Sequence, residues 1–509
     1  MSSPERPDVL LITIDQWRAD SLGCAGHPVA VTPNLDALAA RGVRFTRHYA
    51  QTTPCGPSRA SIHTGTYLHT HRVGRNGTPL DRRFTNLALE MNETGYRSTL
   101  FGYTDTAVDP RTVDDPADPR LFTYEGVLPG FTVEVNLPEH LGAWGEWLRG
   151  RGYDVPDGRV PETMYRQEPA AEGDRHDPPT VYGSEDSEAA FLAEVYRDWL
   201  DRQDPDEPLF AHLTFIRPHP PYMAPAPWNT LIDPDDVPMP VAHATVEEES
   251  AVHPMVAGAL QTDIARAPDD PAAVRRLRAT YWGMLAEVDE KVGRVLAHLE
   301  RTGRLERTLV IVTADHGEQL GDHHLIQKLG YHESSYHVPL IVAGPGVASD
   351  VEGGTVDRFT ESVDLMPTIL DAVGAPVPAQ CQGAALTPFL RGEEPDRWRD
   401  AAHWEWDFRN PLVTLAVGLP LTSSNLAVIR DEDGKYVHFA GFPPLFFDLR
   451  TDPHELHDLA GDPSAAPRVK EYAQRLLDWR MRQDDETLAS VYLDEQGPHT
   501  QFDPPTQRL

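Results

Sequence analysis

The 509-residue chain contains few cysteines and no long apolar run. Its three cysteines are too few and too scattered for a disulfide framework, and an odd number fits a reducing compartment. The N-terminal segment lacks the basic and apolar stretches of a secretion signal, and no run approaches the ~18 apolar residues of a membrane span. We therefore expect a soluble, cytoplasmic protein that does not enter a membrane.

Positive charge is also scarce, because 45 Lys and Arg residues stand against 79 Asp and Glu residues, for a net charge of −34 at pH 7. Such an excess of acid repels phosphate backbones and anionic lipids, which argues against nucleic-acid and membrane-surface partners. With 40% hydrophobic residues and 8% aromatic residues, the chain is nevertheless typical of a globular protein. Only four of its basic residues are lysines, namely Lys291, Lys328, Lys435 and Lys470.

Short apolar runs alternate with amphipathic segments, a pattern typical of a sheet covered by helices on both faces. The predicted strands are residues 9–14, 96–101, 209–215, 309–313 and 340–343. A long helix is predicted to begin near Pro271, with Asp270 as its N-cap and Gly303 just beyond its end. A second helix is predicted over residues 187–200. The sequence therefore indicates an α/β fold.

Two long stretches, residues 105–182 and 230–270, are rich in Pro, Asp and Gly and are predicted to be irregular loops or lids. Near residue 395 the pattern shifts to a hairpin around Asp433-Gly434, a further strand and a helix over 469–479. We expect a catalytic domain over residues 1–395 and a smaller domain of antiparallel strands plus helix over residues 396–509.

Polar side chains follow several predicted strands. Asp15 follows the first strand, His219 follows the strand over 209–215, and Asp315 with His316 follows the strand over 309–313. Ligands bind at the carboxyl edge of the strands in open α/β sheets. Oxygen donors with one imidazole suit a divalent ion such as Ca²⁺, Mg²⁺ or Mn²⁺.

A local motif surrounds Cys55 in the stretch C-G-P-S-R-A-S-I-H-T-G, which ends at Gly65. Pro57 is suited to start a helix and Gly65 to end it, so Cys55 is expected at a helix N-terminus, where thiol pKa values fall and anions bind. Arg59 lies one turn further on and its guanidinium reaches the same place. From spacing alone, a buried cysteine in a tight turn explains the motif equally well.

The C-x-P-S-R…T-G motif resembles the signature of the sulfatase family. That resemblance implies conversion of Cys55 to Cα-formylglycine by a formylglycine-generating enzyme, and an alkaline-phosphatase-like three-layer α/β/α sandwich with a smaller C-terminal α+β domain. One hydroxyl of the hydrated aldehyde then attacks sulfur or phosphorus, and the second expels the product as the aldehyde forms again. The stretch T-A-D-H-G-E-Q-L-G-D-H-H-L-I-Q-K, which ends at Lys328, is also similar to this superfamily.

Two departures from the common sulfatase pattern resemble the phosphonate monoester hydrolase branch. The first strand is followed by D-Q-W-R, without a second Asp, and a G-Y-T segment takes the place of G-K-W-H-L-G. Similarity to the branch extends through V-G-R-N-G, R-P-H-P-P and H-W-E-W-D-F-R. It implies a metal shell, with Mn²⁺ or Ca²⁺, made of Asp15, Gln16, modified Cys55, Asp315 and His316. Gln16 is the weakest member of this set, because a neutral amide could equally contact the metal ligands and not the metal itself.

A leaving alkoxide or phenoxide needs a proton or a positive charge beside it. Lys328 matches the lysine of the family and stands out in a chain that otherwise prefers Arg, so we assign it, with His219, to the leaving group. The catalytic set is then Cys55, Arg59, His219 and Lys328. The resemblance further implies that Asn76 and Tyr103 bind the substrate, with Thr104 as a further candidate.

Asp105 stands where the branch typically has threonine. A carboxylate near an anionic substrate repels it unless it is paired or protonated. We therefore predict hydrolysis of monoanionic sulfate, phosphonate or phosphodiester esters. One alternative is a dedicated arylsulfatase, and another is a non-catalytic binding protein whose Cys55 stays unmodified. The branch tends toward tetramers, which implies a homo-tetramer here.

Overall fold

The fold is described from a computed structural model that covers residues 6–138, 140–166, 174–409, 417–485, 488–489 and 491–500. Eight strands form the main sheet: β1 (Asp8–Ile14), β2 (Gly42–Tyr49), β3 (Arg97–Gly102), β4 (Thr132–Asn136), β5 (Leu209–Phe215), β6 (Thr308–Thr313), β7 (Leu340–Ala343) and β8 (Gly354–Glu361). Their order is β4-β3-β5-β1-β6-β7-β2-β8. All five predicted strands belong to this sheet, while β2, β4 and β8 were not predicted.

The central strands of the sheet are parallel. β1 pairs in parallel with β5 and β6, and β3 pairs in parallel with β5. Only β7 runs the other way, between β6 and β2. The carboxyl ends of β1, β2, β3, β5 and β6 therefore meet at one edge of the sheet, where the candidate site residues follow the strands.

Helices cover both faces of this sheet. The helices of the described chain are α1 (Pro33–Ala39), α2 (Cys55–Thr64), α3 (Leu68–His71), α4 (Leu87–Glu93), α5 (Gly142–Gly150), α6 (Val160–Met164), α7 (Glu188–Leu200), α8 (Val246–Val252), α9 (Pro254–Leu260), α10 (Pro271–Arg301), α11 (Leu365–Ala372), α12 (Thr387–Leu390) and α13 (Ala466–Arg482). Both predicted caps of the long helix α10 are present, because Asp270 accepts from the backbone of Ala272 and Gly303 has φ 71°.

Alternate residues of β1 belong to two separate cores. Leu10 and Ile12 pack with the α7 and α10 side, whereas Val9 and Leu11 pack with the α11 side. This alternation is what buries both faces of a sheet between two helical layers. The predicted three-layer α/β/α sandwich is confirmed.

A second sheet lies in the C-terminal part of the chain. It contains β9 (Ala402–Asp407), β10 (Asn425–Arg430), β11 (Lys435–Phe439) and β12 (Leu445–Phe447), all antiparallel, and α13 packs on one of its faces. The predicted hairpin and helix are present, while the domain boundary at residue 395 stays a prediction. A short hairpin, β13 (Val491–Asp494) and β14 (Gly497–Thr500), follows.

The two stretches predicted to be irregular are only partly so. The first contributes β4 to the edge of the main sheet and forms α5 and α6, and the second contains α8 and α9. Because both stretches are rich in Pro, Asp and Gly, their short helices and strand were not predicted. None of the helices in the described part of the chain combines the length and hydropathy that a membrane crossing requires.

The buried centre of β1 offers a test of this packing. Ile12 has no exposed surface, so Ile12→Ala should lower the free energy of unfolding by about 2–5 kcal/mol, measured by urea unfolding with tryptophan fluorescence. Val133 on β4 is 42% exposed, and Val133→Ala should change the same quantity by less than about 0.5 kcal/mol. Equal effects of the two substitutions would contradict the packing described for β1.

Candidate active site

Four strand ends and one helix N-terminus meet at the carboxyl edge of the main sheet. Asp15 follows β1, Tyr103 follows β3, His219 follows β5 and Asp315 follows β6. Cys55 is the first residue of α2, which comes from β2 after a short connection. The residues predicted to form one site from distant parts of the chain are therefore neighbours in the fold.

Four of the predicted metal ligands form a compact group. Asp15, Cys55, Asp315 and His316 each offer a ligand atom, and these atoms lie within 4.8 Å of one another. The Oδ1 atom of Asp15 is buried without a hydrogen-bond partner in the described residues. Burial lowers the pKa of His316 to about 4, which leaves the neutral imidazole that binds metals. This donor set fits a divalent cation.

Arg59 bridges the carboxylates of Asp15 and Asp315, two of the predicted metal ligands. Its side chain is 1% exposed; Nε donates to Asp315 Oδ2 at 3.0 Å and Nη2 to Asp15 Oδ2 at 3.2 Å. The Tyr103 ring packs against the guanidinium at 4.2 Å. The predicted reach toward the Cys55 region is present, but the partners of Arg59 are protein carboxylates. Arg59 is therefore a positioning residue.

The N-terminus of α2 is tightly enclosed. The helix begins at Cys55 itself, two residues before Pro57, and Gly65 ends it at φ 67°. The backbone N–H of Gly56 donates to Asn76 Oδ1 at 2.9 Å. A Cβ atom on Gly56 would lie 2.7 Å from the backbone oxygen of Asp105, so only glycine fits there.

The Cys55 thiol is buried. Burial and the Asp15 carboxylate raise its pKa well above the usual range, and the nearby Lys328 offsets this only in part. The expectation that the helix N-terminus lowers this pKa is wrong, because loss of water outweighs the helix dipole. Without a bound cation, the Cys55 thiol therefore favours its neutral form.

Lys328 and Gln16 contact each other beside Cys55. Lys328 Nζ donates to Gln16 Oε1 at 2.7 Å and lies 3.8 Å from Cys55 Sγ. Gln16 adopts φ 65°, a left-handed conformation that is uncommon for residues other than glycine. Its amide nitrogen donates to Glu318, which also accepts from Tyr222 at 2.8 Å. The Gln16 amide oxygen thus faces the site while Glu318 fixes the amide.

Glu318 is a site residue that the sequence reasoning did not assign. Its carboxyl is fully buried and also accepts from the backbone of Leu320 at 2.7 Å. It lies in the same T-A-D-H-G-E stretch that indicated Asp315 and His316. An acidic residue so close to predicted metal ligands was the available signal.

His219 is half-buried at the mouth of the site. Its Nδ1 lies 2.8 Å from the backbone oxygen of Pro220; a carbonyl only accepts, so Nδ1 carries the hydrogen and Nε2 remains available. Burial and the charge of Lys328 lower the pKa of His219 to about 3. The imidazole is therefore neutral near pH 7.

A cavity of about 350 Å³ opens beside Cys55. Cys55, Asn76, Tyr103 and His219 line it, as the sequence predicted. Thr104 does not line it, because its hydroxyl binds the backbone of residues 126 and 128 at 3.1 Å and 3.0 Å. The structure therefore gives Thr104 a role in fixing the loop and not a substrate contact.

Comparisons with known proteins agree with this geometry. The Sulfatase family model matches residues 7–375, and the model "N-sulphoglucosamine sulphohydrolase, C-terminal" matches residues 321–482. The chain is 40% identical to the multifunctional alkaline phosphatase superfamily protein PehA of Trinickia caryophylli, over 97% of this chain and 98% of that protein. It is 26% identical to an arylsulfatase of Clostridium perfringens, over 93% and 94% of the two chains.

The solved structures of two phosphonate monoester hydrolases are similar to this fold throughout. That from Agrobacterium radiobacter is 45% identical, with a TM-score of 0.91 over 98% of this chain and 100% of that chain. That from Silicibacter pomeroyi is 40% identical, with the same TM-score and coverage. The chain therefore belongs to the sulfatase family of the alkaline phosphatase superfamily, as a hydrolase of sulfuric and phosphoric or phosphonic esters.

Proposed function

We propose that the protein is a formylglycine- and metal-dependent hydrolase of monoanionic sulfate, phosphonate or phosphodiester esters. The observation that carries this proposal is the position of Cys55 Sγ. It lies 3.2 Å from His316 Nε2 and 3.8 Å from Lys328 Nζ, within the group of four ligand atoms. A side chain at this place is close both to metal ligands and to a cation.

The sulfur atom stands where the oxygens of the converted side chain would be. A neutral, buried thiol is a poor nucleophile, whereas the hydrated aldehyde supplies one hydroxyl for attack and a second for release. The Gly56 contact with Asn76 and the closely packed Asp105 backbone fix the direction of this side chain. The alternative of a non-catalytic protein does not explain why the full set of catalytic groups surrounds Cys55.

The metal would be held by Asp15, Gln16, Asp315 and His316 together with the converted Cys55. As a Lewis acid, Mn²⁺ or Ca²⁺ lowers the pKa of a bound hydroxyl and neutralises developing negative charge. Arg59 keeps two of these carboxylates close together, although their charges repel each other.

Lys328 and His219 would assist departure of the leaving group. Lys328 lies next to the nucleophile, where the carboxylates of Asp15, Asp315 and Glu318 raise its pKa against the effect of burial and favour its charged form. His219 presents Nε2 at the cavity. A protonated imidazole would donate from Nε2 to the departing ester oxygen, whereas the neutral form, with its hydrogen on Nδ1, would only accept. Asn76 and Tyr103 would orient the non-bridging oxygens, and the Tyr103 hydroxyl now donates to Asp15 at 2.5 Å.

The relatives favour phosphonate and phosphodiester substrates over a dedicated arylsulfatase. The two structures with 45% and 40% identity are phosphonate monoester hydrolases, whereas the arylsulfatase is 26% identical. Parallel kinetics with 4-nitrophenyl sulfate and 4-nitrophenyl phenylphosphonate would separate the two activities. The proposal also includes maturation by a formylglycine-generating enzyme, a cytoplasmic location and a homo-tetramer.

Cys55→Ala removes the nucleophile, so we expect kcat/KM to fall on the order of 10³-fold or more. Mass spectrometry of the peptide with Cys55, from protein of the native host, should find the lighter formylglycine form. Cys24 is exposed, and Cys24→Ala should leave activity unchanged. Full turnover by Cys55→Ala, or an unmodified thiol in active protein, would refute the mechanism.

Lys328→Arg keeps the charge but removes a group that transfers a proton readily. We expect kcat to fall by roughly 10²–10⁴-fold for an alkyl ester and by much less for a 4-nitrophenyl ester, whose leaving group needs little help. Lys470 is exposed, and Lys470→Arg is the matched control. Equal losses for both esters would contradict a role at the leaving group.

Removal of the metal with a chelator should abolish activity, and Mn²⁺ or Ca²⁺ should restore it. Asp315→Asn should lower the metal content measured by atomic emission, because it removes a charged ligand. Asp357 is exposed on β8 and Asp357→Asn should keep the full metal content. Metal content that is unaffected by Asp315→Asn would refute the ligand assignment.

A further inference from the structure

The cavity beside Cys55 is lined by acidic groups. Its lining contains the carboxyls of Asp15, Asp105, Glu125 and Glu162 and, among the residues that the structure describes, neither lysine nor arginine. Arg59 and Lys328 stand behind the nucleophile and do not line the cavity. The part of a substrate that occupies this space beyond the ester group therefore meets negative charge.

Asp105 is the most unusual of these residues. It is only 7% exposed, and its carboxyl forms no hydrogen bond or ion pair with any residue that the structure describes. Its backbone has φ 49°, in the left-handed region that few residues other than Gly, Asn and Asp adopt. Burial raises the pKa of Asp105 to about 7, with Asp15 adding to the effect and Arg59 opposing it. A carboxylate this deeply buried is costly unless a positive charge compensates it, and a cationic group in the cavity would add to the effect of Arg59.

The rest of the wall is apolar and aromatic. It contains Leu137, Ile216, Pro161, Tyr124 and Tyr165. Carboxylates set among aromatic and apolar side chains suit an alkylammonium group, which needs a counter-charge and also contacts with its carbon atoms. An anionic group would find no lysine or arginine side chain among the described residues of this lining.

We propose that the alcohol or phenol part of the natural ester carries a positive charge, an amine or a quaternary ammonium, which binds to Asp105 in this cavity. Glu125 and Glu162 add negative potential near the same place. The inference rests on the proposed function and names its substrate class. A monoanionic ester with such a group has no net charge.

The test uses two phenols of nearly the same shape, 4-(trimethylammoniomethyl)phenol and 4-neopentylphenol, each as its sulfate and as its methylphosphonate monoester. The wild-type protein should hydrolyse the cationic ester with a kcat/KM about tenfold or more above that of the neutral one. In Asp105→Asn this ratio should fall by about the same factor. Asparagine tolerates positive φ, so the loop is retained.

Comparing the ratio between proteins cancels the intrinsic reactivity of the two esters. Asp114 is an exposed carboxyl on the same segment, and Asp114→Asn should keep the wild-type ratio. Glu162→Gln should lower it by less than Asp105→Asn does. Equal kcat/KM for the two esters in the wild-type protein, or equal losses for both in Asp105→Asn, would overturn the proposal.

Calorimetry with the two free phenols tests cation binding without turnover. The cationic phenol should bind the wild-type protein more tightly than the neutral one, and Asp105→Asn should abolish the difference. If all esters resist hydrolysis while this binding difference persists, the proposed function fails and the cation site stands. If the esters are hydrolysed but binding shows no preference, the cation site fails and the hydrolase stands.

Discussion

The buried ion triad of Asp15, Arg59 and Asp315 is the interaction on which the site depends. Two buried carboxylates from the ends of neighbouring strands stand close together, and alone they would repel each other or take up a proton. The guanidinium between them offsets this repulsion and fixes the orientation of both carboxylates. Because Arg59 belongs to α2, the same contact ties the Cys55 helix to the sheet.

Outside this triad, each reactive group is held by a second contact that leaves one atom available. Glu318 accepts a hydrogen bond from the amide nitrogen of Gln16, so the amide oxygen faces the site. The carbonyl of Pro220 accepts a hydrogen bond from Nδ1 of His219, so Nε2 is left facing the cavity. Such contacts fix geometry before substrate arrives, which is how enzymes reduce reorganisation during reaction. Asp105 differs because its carboxyl lacks a protein partner in the described chain.

Local patterns were sufficient to predict the buried strands and the capped helix α10, because each depends on neighbours in sequence. The metal role of Asp15, Cys55, Asp315 and His316 stays a prediction, and the structure brings these four residues together. The strands β4 and β8 carry polar residues on the outer parts of the sheet, so their pairing with β3 and β2 is decided by tertiary contacts. Tertiary contacts also explain why Thr104 was wrongly predicted to contact the substrate. Its hydroxyl instead donates a hydrogen bond to the backbone oxygen of Gly126 in a separate loop. The high pKa of Cys55 depends on burial, which the motif does not encode.

The depth of the positive groups has a consequence for how substrate approaches. Arg59 and Lys328 are buried and paired with carboxylates, so beyond a few ångströms the surface potential follows the net charge of −34. An anionic ester is thus repelled during its diffusion and attracted only on contact, and dissolved salt speeds its encounter by screening the repulsion. A zwitterionic ester experiences little of this barrier. The acidic surface thereby favours, at long range, the same molecules that an acidic cavity retains.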